Sequence, residues 1–161
     1  MSRDKTPMTA AVRVLRDAGI PFTEHPYHYI EHGGTAAFAR DSAVDEHAVI
    51  KTLVMEDDGK RPFVVLMHGD REVSTKEMAR ILGVRAVRPC APETAQRHSG
   101  YMVGGTSPFG LRKPMPVYVE ESILALPKVY INGGKRGFLV GLDPKDLTRV
   151  LEPKPVRVAT V

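Results

Sequence analysis

The sequence predicts a single domain over residues 1–161 with an α/β (α+β) fold, in which helices surround a curved mixed β-sheet. Segments with helical spacing of apolar residues are interspersed with apolar strand segments along the whole chain. Two turn sequences, Asp57-Asp58-Gly59-Lys60 and the Gly-rich segment at 133–137, join consecutive strands as hairpins, which argues against a purely parallel sheet. There is no linker, repeat or low-complexity segment that would divide the chain.

Composition limits the classes of function. A chain of 161 residues can bury a substantial core without disulfides, and its single cysteine excludes a disulfide framework and a multi-cysteine zinc site. The net charge of +4 favours a polyanionic partner such as nucleic acid, but it is also compatible with an ordinary mixed-charge surface. The sequence has neither the apolar core of a signal peptide nor a run that could cross a bilayer. We therefore expect a cytoplasmic protein without membrane contact.

Helices are predicted where apolar residues recur at helical spacing after a capping residue. They comprise a helix from Thr6-Pro7 to Gly19, a short helix over 35–43 capped by Thr35, a helix from the Ser74/Glu77 capping box to Gly83, a helical turn over 92–97, and a last helix after Asp143-Pro144. Their apolar sides are expected to pack on the sheet.

Strands are predicted where short apolar or β-branched runs lie between turn signals. They are an extended segment at 22–29, in which Pro26 implies a bend or a sheet edge, then 49–55, 63–67, 86–88, 116–120, 129–132 and 138–142, with 156–161 as an edge strand. Residues 49–55 are nearly all apolar, as expected of a strand covered on both faces.

Lys51 interrupts that apolar strand. An unpaired ammonium is costly to bury, so the side chain must reach solvent or meet an anion. One alternative is a lysine that extends from an edge strand into water. The other is a lysine that points into a pocket and binds an anion there.

The Gly-rich segment at 100–110 is the strongest candidate for a binding loop. Its four glycines, two hydroxyl residues and proline suit a loop that turns backbone N–H groups toward a ligand. Such amides can bind phosphate or stabilise an oxyanion. A smaller segment at 131–137 repeats the pattern and adds the cations Lys135 and Arg136. The alternative is that both are ordinary surface turns.

Common catalytic patterns are absent. Ser107 does not lie in the nucleophile pattern Gly-x-Ser-x-Gly, and Cys90 has no evident base beside it. His25 and His28 are three residues apart in an extended segment, so they face opposite sides, and His32 follows further on. No carboxylate or thiol completes a metal pattern, so no metal site is predicted. No cofactor is expected either. Any chemistry would then depend on positioning, a lysine and backbone amides.

Four motifs taken together resemble a known family. They are Lys51-Thr52-Leu53, Gly69-Asp70-Arg71, the glycine loop at 100–110 and Gly133-Gly134-Lys135-Arg136-Gly137. The chain is similar, over about residues 6–151, to the YbaK/EbsC-type aminoacyl-tRNA deacylases. These are related to the editing domain of bacterial prolyl-tRNA synthetase. Each motif alone is weak, and the four in this order are specific.

The resemblance implies a trans-editing hydrolase that deacylates mischarged tRNA, most often Cys-tRNA(Pro), with the substrate thiol assisting. The implied partners are the aminoacylated 3′ end of tRNA and, as a candidate, prolyl-tRNA synthetase. Several relatives carry an acidic residue where this chain has residues 138–141 (Phe-Leu-Val-Gly), which leaves a deacylase for another small amino acid such as alanine as an alternative. Two further alternatives are a non-catalytic module that binds tRNA or a nucleotide, and an interaction domain.

The resemblance and the two glycine loops together give a set of candidate site residues. The expected catalytic groups are Lys51 and the backbone amides of Gly104 and Gly105. The expected substrate-binding residues are Tyr27, Thr52, Tyr101, Thr106, Ser107, Gly133, Gly134, Lys135 and Arg136.

Overall fold

The computed structural model describes residues 6–161, which form one large mixed sheet and one small antiparallel pair. The strands are β1 (Thr23–Pro26), β2 (Val49–Asp57), β3 (Pro62–His68), β4 (Glu72–Val73), β5 (Val87–Pro89), β6 (Val117–Glu120), β7 (Val129–Lys135), β8 (Phe138–Leu142), β9 (Lys154–Val156) and β10 (Ala159–Thr160). The large sheet has the order β1-β8-β7-β2-β3-β6-β9, with β5 also paired to β2, and β10 pairs with β4.

Five α-helices cover the sheet. They are α1 (Ala10–Asp17), α2 (Gly34–Ser42), α3 (Thr75–Leu82), α4 (Pro92–Ser99) and α5 (Pro144–Leu151), with short 3-10 helices at Glu46–Ala48 and Glu121–Ala125. Two predicted caps are confirmed, because the Ser74 hydroxyl accepts from the Glu77 N–H and the Asp143 carboxylate accepts from the Lys145 N–H. No helix in residues 6–161 is long and apolar enough to cross a bilayer.

Two other predicted caps are wrong. Helix α1 begins three residues later than expected, and the Thr9 hydroxyl, rather than that of Thr6, accepts from a backbone N–H of its first turn. Helix α2 is preceded by Gly33 and has no side-chain cap. Thr35 instead donates its hydroxyl to Glu46 Oε2 at 2.8 Å. Both errors arise because a hydroxyl residue near a helix start can bond to a distant partner as well as to its own helix.

The helices lie on both faces of the sheet, which confirms the predicted α/β (α+β) class. On one face, Ile50, Val54 and Leu66 pack with residues of α1, α4 and α5. On the other, Met55 and Met67 pack with α3, while α2 covers the start of β2. Alternate residues of β2 are buried in opposite layers, as the period of two requires.

The ends of the sheet differ in detail from the expectation. Strand β1 is shorter than the predicted extended segment and is an edge strand, with Pro26 as its last residue. The predicted C-terminal strand is two short strands, of which β9 pairs with β6 and β10 pairs with β4. Residues 1–5, at the start of the predicted domain, lie outside the described part of the chain.

Strand β2 has an unusual set of neighbours. It pairs with β3 along almost its whole length. On its other edge it pairs with β7 at Val49 and Ile50 and with β5 from Met55 to Asp57. Residues 51–53 between these two pairings have no strand partner on that edge, so the sheet has an opening beside its central strand. We call residues 51–53 the open segment of β2.

Candidate active site

A cavity of about 740 Å³ lies at the open segment. Its lining comes from β2, from the chain between β1 and α2, from β4, from the segment between β5 and α4, and from both glycine loops. Phe38 lines it from the layer on one face of the sheet, and Ala95 lines it from the layer on the other. The cavity therefore reaches both faces through the opening.

The backbone of Thr52 points into this opening. The Val49 carbonyl accepts from the Gly69 N–H, and the Asp57 N–H donates to the Arg61 carbonyl, so odd-numbered residues of β2 face β3. Even-numbered residues face the other edge, where the Val54 carbonyl accepts from the Cys90 N–H. Thr52 lies between the β7 and β5 pairings on that edge. Its N–H and carbonyl are consequently directed at the cavity.

The Thr52 side chain adds a third polar group. Its Oγ1 is buried and has no hydrogen-bond partner in the described part of the chain, which is unusual for a buried polar atom. A hydroxyl, an N–H and a carbonyl thus come from one residue at the opening. A ligand that enters the cavity can bond to the N–H and the carbonyl, and a small rotation of the side chain would bring the buried hydroxyl within its reach.

Lys51 lies on the opposite face of β2 and also lines the cavity. Its side chain is 18% exposed, and its Nζ is 3.2 Å from Oε2 of Glu72. The sequence left open whether Lys51 extends from an edge strand into water or points into a pocket and binds an anion. The structure shows the second arrangement, because β2 is a central strand and the Lys51 ammonium lies next to an anion. That anion is a carboxylate of this chain, on a side chain that is 72% exposed.

The first glycine loop borders the cavity through Gly104 and Thr106. Gly104 has a φ of +92°, and a Cβ there would lie 2.6 Å from the Tyr29 hydroxyl oxygen, so this position requires glycine. The Gly105 N–H instead donates to the Met102 carbonyl at 2.8 Å. The Gly105 amide, expected to bind an oxyanion, thus closes a turn within the loop in this structure.

Asn132 and Arg136 join the two glycine loops. The Asn132 side chain donates to the Gly104 carbonyl at 3.1 Å and accepts from the Gly134 N–H at 2.7 Å. Arg136 Nε donates to the Val103 carbonyl at 2.8 Å, and its guanidinium lies 5.2 Å from the centre of the Tyr29 ring. Sequence reasoning missed Asn132 and Tyr29. An Asn directly before Gly-Gly was an available signal, since Asn often bonds to the backbone two residues later.

Several predicted site residues lie outside the cavity. Tyr101 is buried, donates its hydroxyl to the Phe109 carbonyl, and has its pKa raised to about 12 by burial. The buried Ser107 hydroxyl accepts from the Phe109 N–H. The Gly133 carbonyl accepts from the Thr9 hydroxyl. Gly134 packs on Thr9 and Tyr101, and Lys135 is exposed at the end of β7. These residues build the loops that border the cavity.

An aromatic group forms one wall of the cavity. Tyr27 packs edge-on against the fully buried Phe38, with ring centres 5.2 Å apart. Burial and the neighbouring Tyr29 raise the pKa of Tyr27, so its hydroxyl is protonated at neutral pH and can donate a hydrogen bond. Tyr27, which the resemblance indicated, therefore lines the same cavity as Lys51 and Thr52.

Another wall is mainly apolar and contains Cys90. Its Sγ is 3.6 Å from Oε1 of Glu56, beside Val54, Met55 and Ala95. Burial and the Glu56 carboxylate raise the pKa of the Cys90 thiol to about 11. A protonated thiol at neutral pH is a poor nucleophile, which agrees with the expectation from the sequence.

The described residues bring together a different set of histidines from those considered in the sequence. His47 and His68 stack with ring centres 3.7 Å apart, and His47 Nδ1 is 2.8 Å from Asp70 Oδ1. Both ring nitrogens of His68 have protein partners, the His47 carbonyl at 2.7 Å and the Ser122 hydroxyl at 2.6 Å. Burial lowers the pKa of His68. These hydrogen bonds indicate a structural role for His68, which connects the end of β3 to the segments that contain His47 and Ser122.

Comparison with known proteins identifies a family and several relatives. The sequence profile of the aminoacyl-tRNA editing domain family matches residues 33–150. A protein of Enterococcus faecalis, provisionally named Cys-tRNA(Pro)/Cys-tRNA(Cys) deacylase EbsC, is 25% identical, and the match covers 99% of each chain. A proline–tRNA ligase of Nitratidesulfovibrio vulgaris is 27% identical over 73% of this chain, which spans 19% of the ligase.

A solved structure shares the fold. The protein, provisionally described as a trans-editing enzyme for prolyl-tRNA synthetase, superposes with a TM-score of 0.81 at 22% identity. The superposition covers 97% of this chain and the whole of the other. At this identity the likeness concerns the arrangement of helices and strands.

Proposed function

Because the chain belongs to the aminoacyl-tRNA editing domain family, we propose that it is an aminoacyl-tRNA deacylase that acts in trans on mischarged tRNA. The reaction is hydrolysis of the ester between the amino acid and the terminal ribose of tRNA. The acyl C–O bond breaks, water supplies the new carboxyl oxygen, and the ribose oxygen takes a proton.

The observation that carries this proposal is the group of polar atoms at the open segment. Thr52 directs its N–H and carbonyl at the cavity and holds a buried hydroxyl without a partner in the described chain, and Lys51 lines the same cavity with a cation. An ester is already activated, so a site that orients it and stabilises negative charge on the carbonyl oxygen can accelerate its hydrolysis without a protein nucleophile. We assign the stabilisation of this negative charge to Lys51 and the Thr52 N–H.

The proposed substrate is Cys-tRNA(Pro). The full-length match to the Enterococcus faecalis protein supports this choice. A cysteinyl ester carries its own thiol, which can attack the ester carbonyl: a C–S bond forms, the acyl C–O bond breaks, and the ribose oxygen of the released tRNA takes the thiol proton. Water then opens the resulting thiolactone to give free cysteine, so the net reaction is still hydrolysis. The mainly apolar wall at Val54, Met55 and Ala95 would accept a small side chain such as that of cysteine or alanine.

The proposed partners are the aminoacylated 3′ end of tRNA and prolyl-tRNA synthetase, with action in the cytoplasm where tRNAs are charged. The match to proline–tRNA ligase supports a link to the proline system.

The test is release of amino acid from a panel of charged tRNAs by the purified protein. We expect rapid release from Cys-tRNA(Pro), slower release from Ala-tRNA(Pro), and none from correctly charged Pro-tRNA(Pro). Uncatalysed hydrolysis at the same pH is the blank. Binding of charged tRNA without release above the blank would contradict the proposal and identify a binding module instead.

A further inference from the structure

A group of cations lies beside one wall of the cavity. The Arg112 N–H donates to the Ser99 carbonyl at 3.0 Å, and the Lys113 N–H donates to the His98 carbonyl at 2.9 Å. The segment at 112–113 therefore runs along the C-terminal end of α4. Arg97, Arg112 and Lys113 are all exposed there. We call these three residues the basic cluster.

The charges of the basic cluster are not neutralised. Within residues 6–161, none of its three side chains forms an ion pair within 4 Å. The pKa of His98 is lowered by burial and then by the nearby Lys113 and Arg97, which indicates that both cations act on one small region. By contrast Arg88, next to this region, is paired with Glu56 at 3.0 Å. Adjacent unpaired cations favour a polyanionic ligand.

The basic cluster lies on the same helix as part of the cavity lining. Ala95 of α4 lines the cavity together with Pro89 and Cys90. Arg97 follows Ala95 by two residues, so it lies about 3 Å further along the axis of α4 but about 200° around it, on the outer side of the helix. A nucleic-acid backbone that leaves the cavity and passes over the C-terminal end of α4 would reach the cluster.

We propose that the basic cluster binds the phosphate backbone of the tRNA acceptor end, upstream of the terminal adenosine. The inference rests on the proposed function, which places that adenosine in the cavity. Phosphate contacts of this kind fix the register of a nucleic acid without reading its sequence. The cluster would thus contribute to affinity for every tRNA and leave the choice of amino acid to the cavity.

The experiment compares two variants with the same change in net charge. In the first, Arg97→Glu and Lys113→Glu are combined. In the matched control, Lys145→Glu and Lys154→Glu are combined, at exposed positions of α5 and β9. The measurements are the Kd for uncharged tRNA(Pro) over a range of salt concentrations and the rate of hydrolysis of the cysteinyl ester of adenosine. Thermal unfolding confirms that each variant is folded.

We expect the first variant to bind tRNA at least ~10-fold more weakly at low salt, with the slope of log Kd against log salt reduced by about 1 to 2. The control should change Kd by less than ~3-fold, since its charges lie elsewhere. Both should hydrolyse the adenosine ester at the wild-type rate, because that substrate has no phosphate backbone. Equal weakening in both variants, or in neither, would overturn the proposal.

Other outcomes separate this inference from the proposed function. If the wild type hydrolyses no aminoacyl ester but tRNA affinity still depends on the cluster, the proposed function fails and the cluster proposal stands. If the first variant keeps its tRNA affinity and loses binding to immobilised prolyl-tRNA synthetase, the surface binds protein and the cluster proposal is wrong.

Discussion

The Lys51 ammonium lies 3.2 Å from the Glu72 carboxylate, at the cavity that opens beside the central strand. The two side chains differ in their surroundings, since 18% of Lys51 and 72% of Glu72 is exposed. An anionic substrate that uses Lys51 must therefore displace an exposed carboxylate rather than a buried one. The ion pair with Glu72 compensates the positive charge of Lys51 when no anionic ligand is bound.

The first prediction concerns Glu72→Gln. Loss of the carboxylate removes a competitor for Lys51, and an exposed ion pair contributes up to about 1 kcal/mol. We expect the affinity for adenosine monophosphate, measured by calorimetry, to rise by about 2- to 5-fold. Weaker binding in the variant would show that Glu72 itself contacts the ligand. Arg80 pairs with Glu77 on α3, so Glu77→Gln is a control for loss of a surface ion pair.

The second prediction concerns Thr52→Val, which replaces the hydroxyl with a methyl group of similar size. The buried Oγ1 has no partner in the described chain, so its loss should leave the free energy of unfolding unchanged or raise it by about 1 kcal/mol. If the hydroxyl bonds to substrate, kcat/KM should fall by about 10-fold. Chemical denaturation and a deacylation assay measure the two quantities. If the variant is less stable and its kcat/KM is unchanged, the Thr52 hydroxyl stabilises the fold and does not contact the substrate.

The third prediction concerns Gly104→Ala. The new Cβ would lie 2.6 Å from the Tyr29 hydroxyl oxygen, at a φ of +92°, so the Tyr29 ring or the loop must move. We expect a loss of about 1–3 kcal/mol in stability and a clear fall in kcat/KM. Gly83→Ala is the matched control, because Gly83 has a φ of +70° and open space around its Cβ. Equal kcat/KM in the two variants would show that the position of this loop is unimportant for turnover.

The fourth prediction concerns the reactivity of Cys90. Its pKa of about 11, compared with 9.0 for an ordinary thiol, leaves about 100-fold less thiolate at pH 8. Alkylation by iodoacetamide should be slower by about that factor than in the protein unfolded in urea. The rate should continue to rise with pH through pH 10, since the thiol loses its proton only near 11. A rate that levels off near pH 9 would contradict the buried, Glu56-adjacent environment.

Local features of the fold were predictable from sequence, whereas the opening of the sheet was not. The Asp57-Asp58-Gly59-Lys60 hairpin and the Ser74 cap depend on neighbours a few residues away, and both were found. The opening exists because β7 leaves β2 after Ile50 before β5 joins it at Met55, and such pairings depend on residues far apart in the chain. A sequence pattern with a period of two contains no information about which strand is the neighbour.

The sequence likewise predicted the local part of the candidate site and not the contacts between distant residues. Lys51 and Thr52 were identified from their motif, and both line the cavity with Tyr27, Gly104, Thr106 and Arg136. The partner of Lys51 is 21 residues away, so no local pattern indicated Glu72. The hydrogen bond of the Gly105 amide to Met102 was not predictable either, because it depends on the conformation of the loop.

The most direct test of the account is single-turnover release of cysteine from Cys-tRNA(Pro) by the wild type and by the Lys51→Met variant. Lys60→Met, at an exposed position of the β2–β3 turn, is the control. Loss of a cation that stabilises the developing oxyanion should lower the rate by about 100- to 1,000-fold in Lys51→Met, with Lys60→Met unchanged. An equal rate for a folded Lys51→Met protein and the wild type would contradict the assignment of the reaction to the open segment of β2.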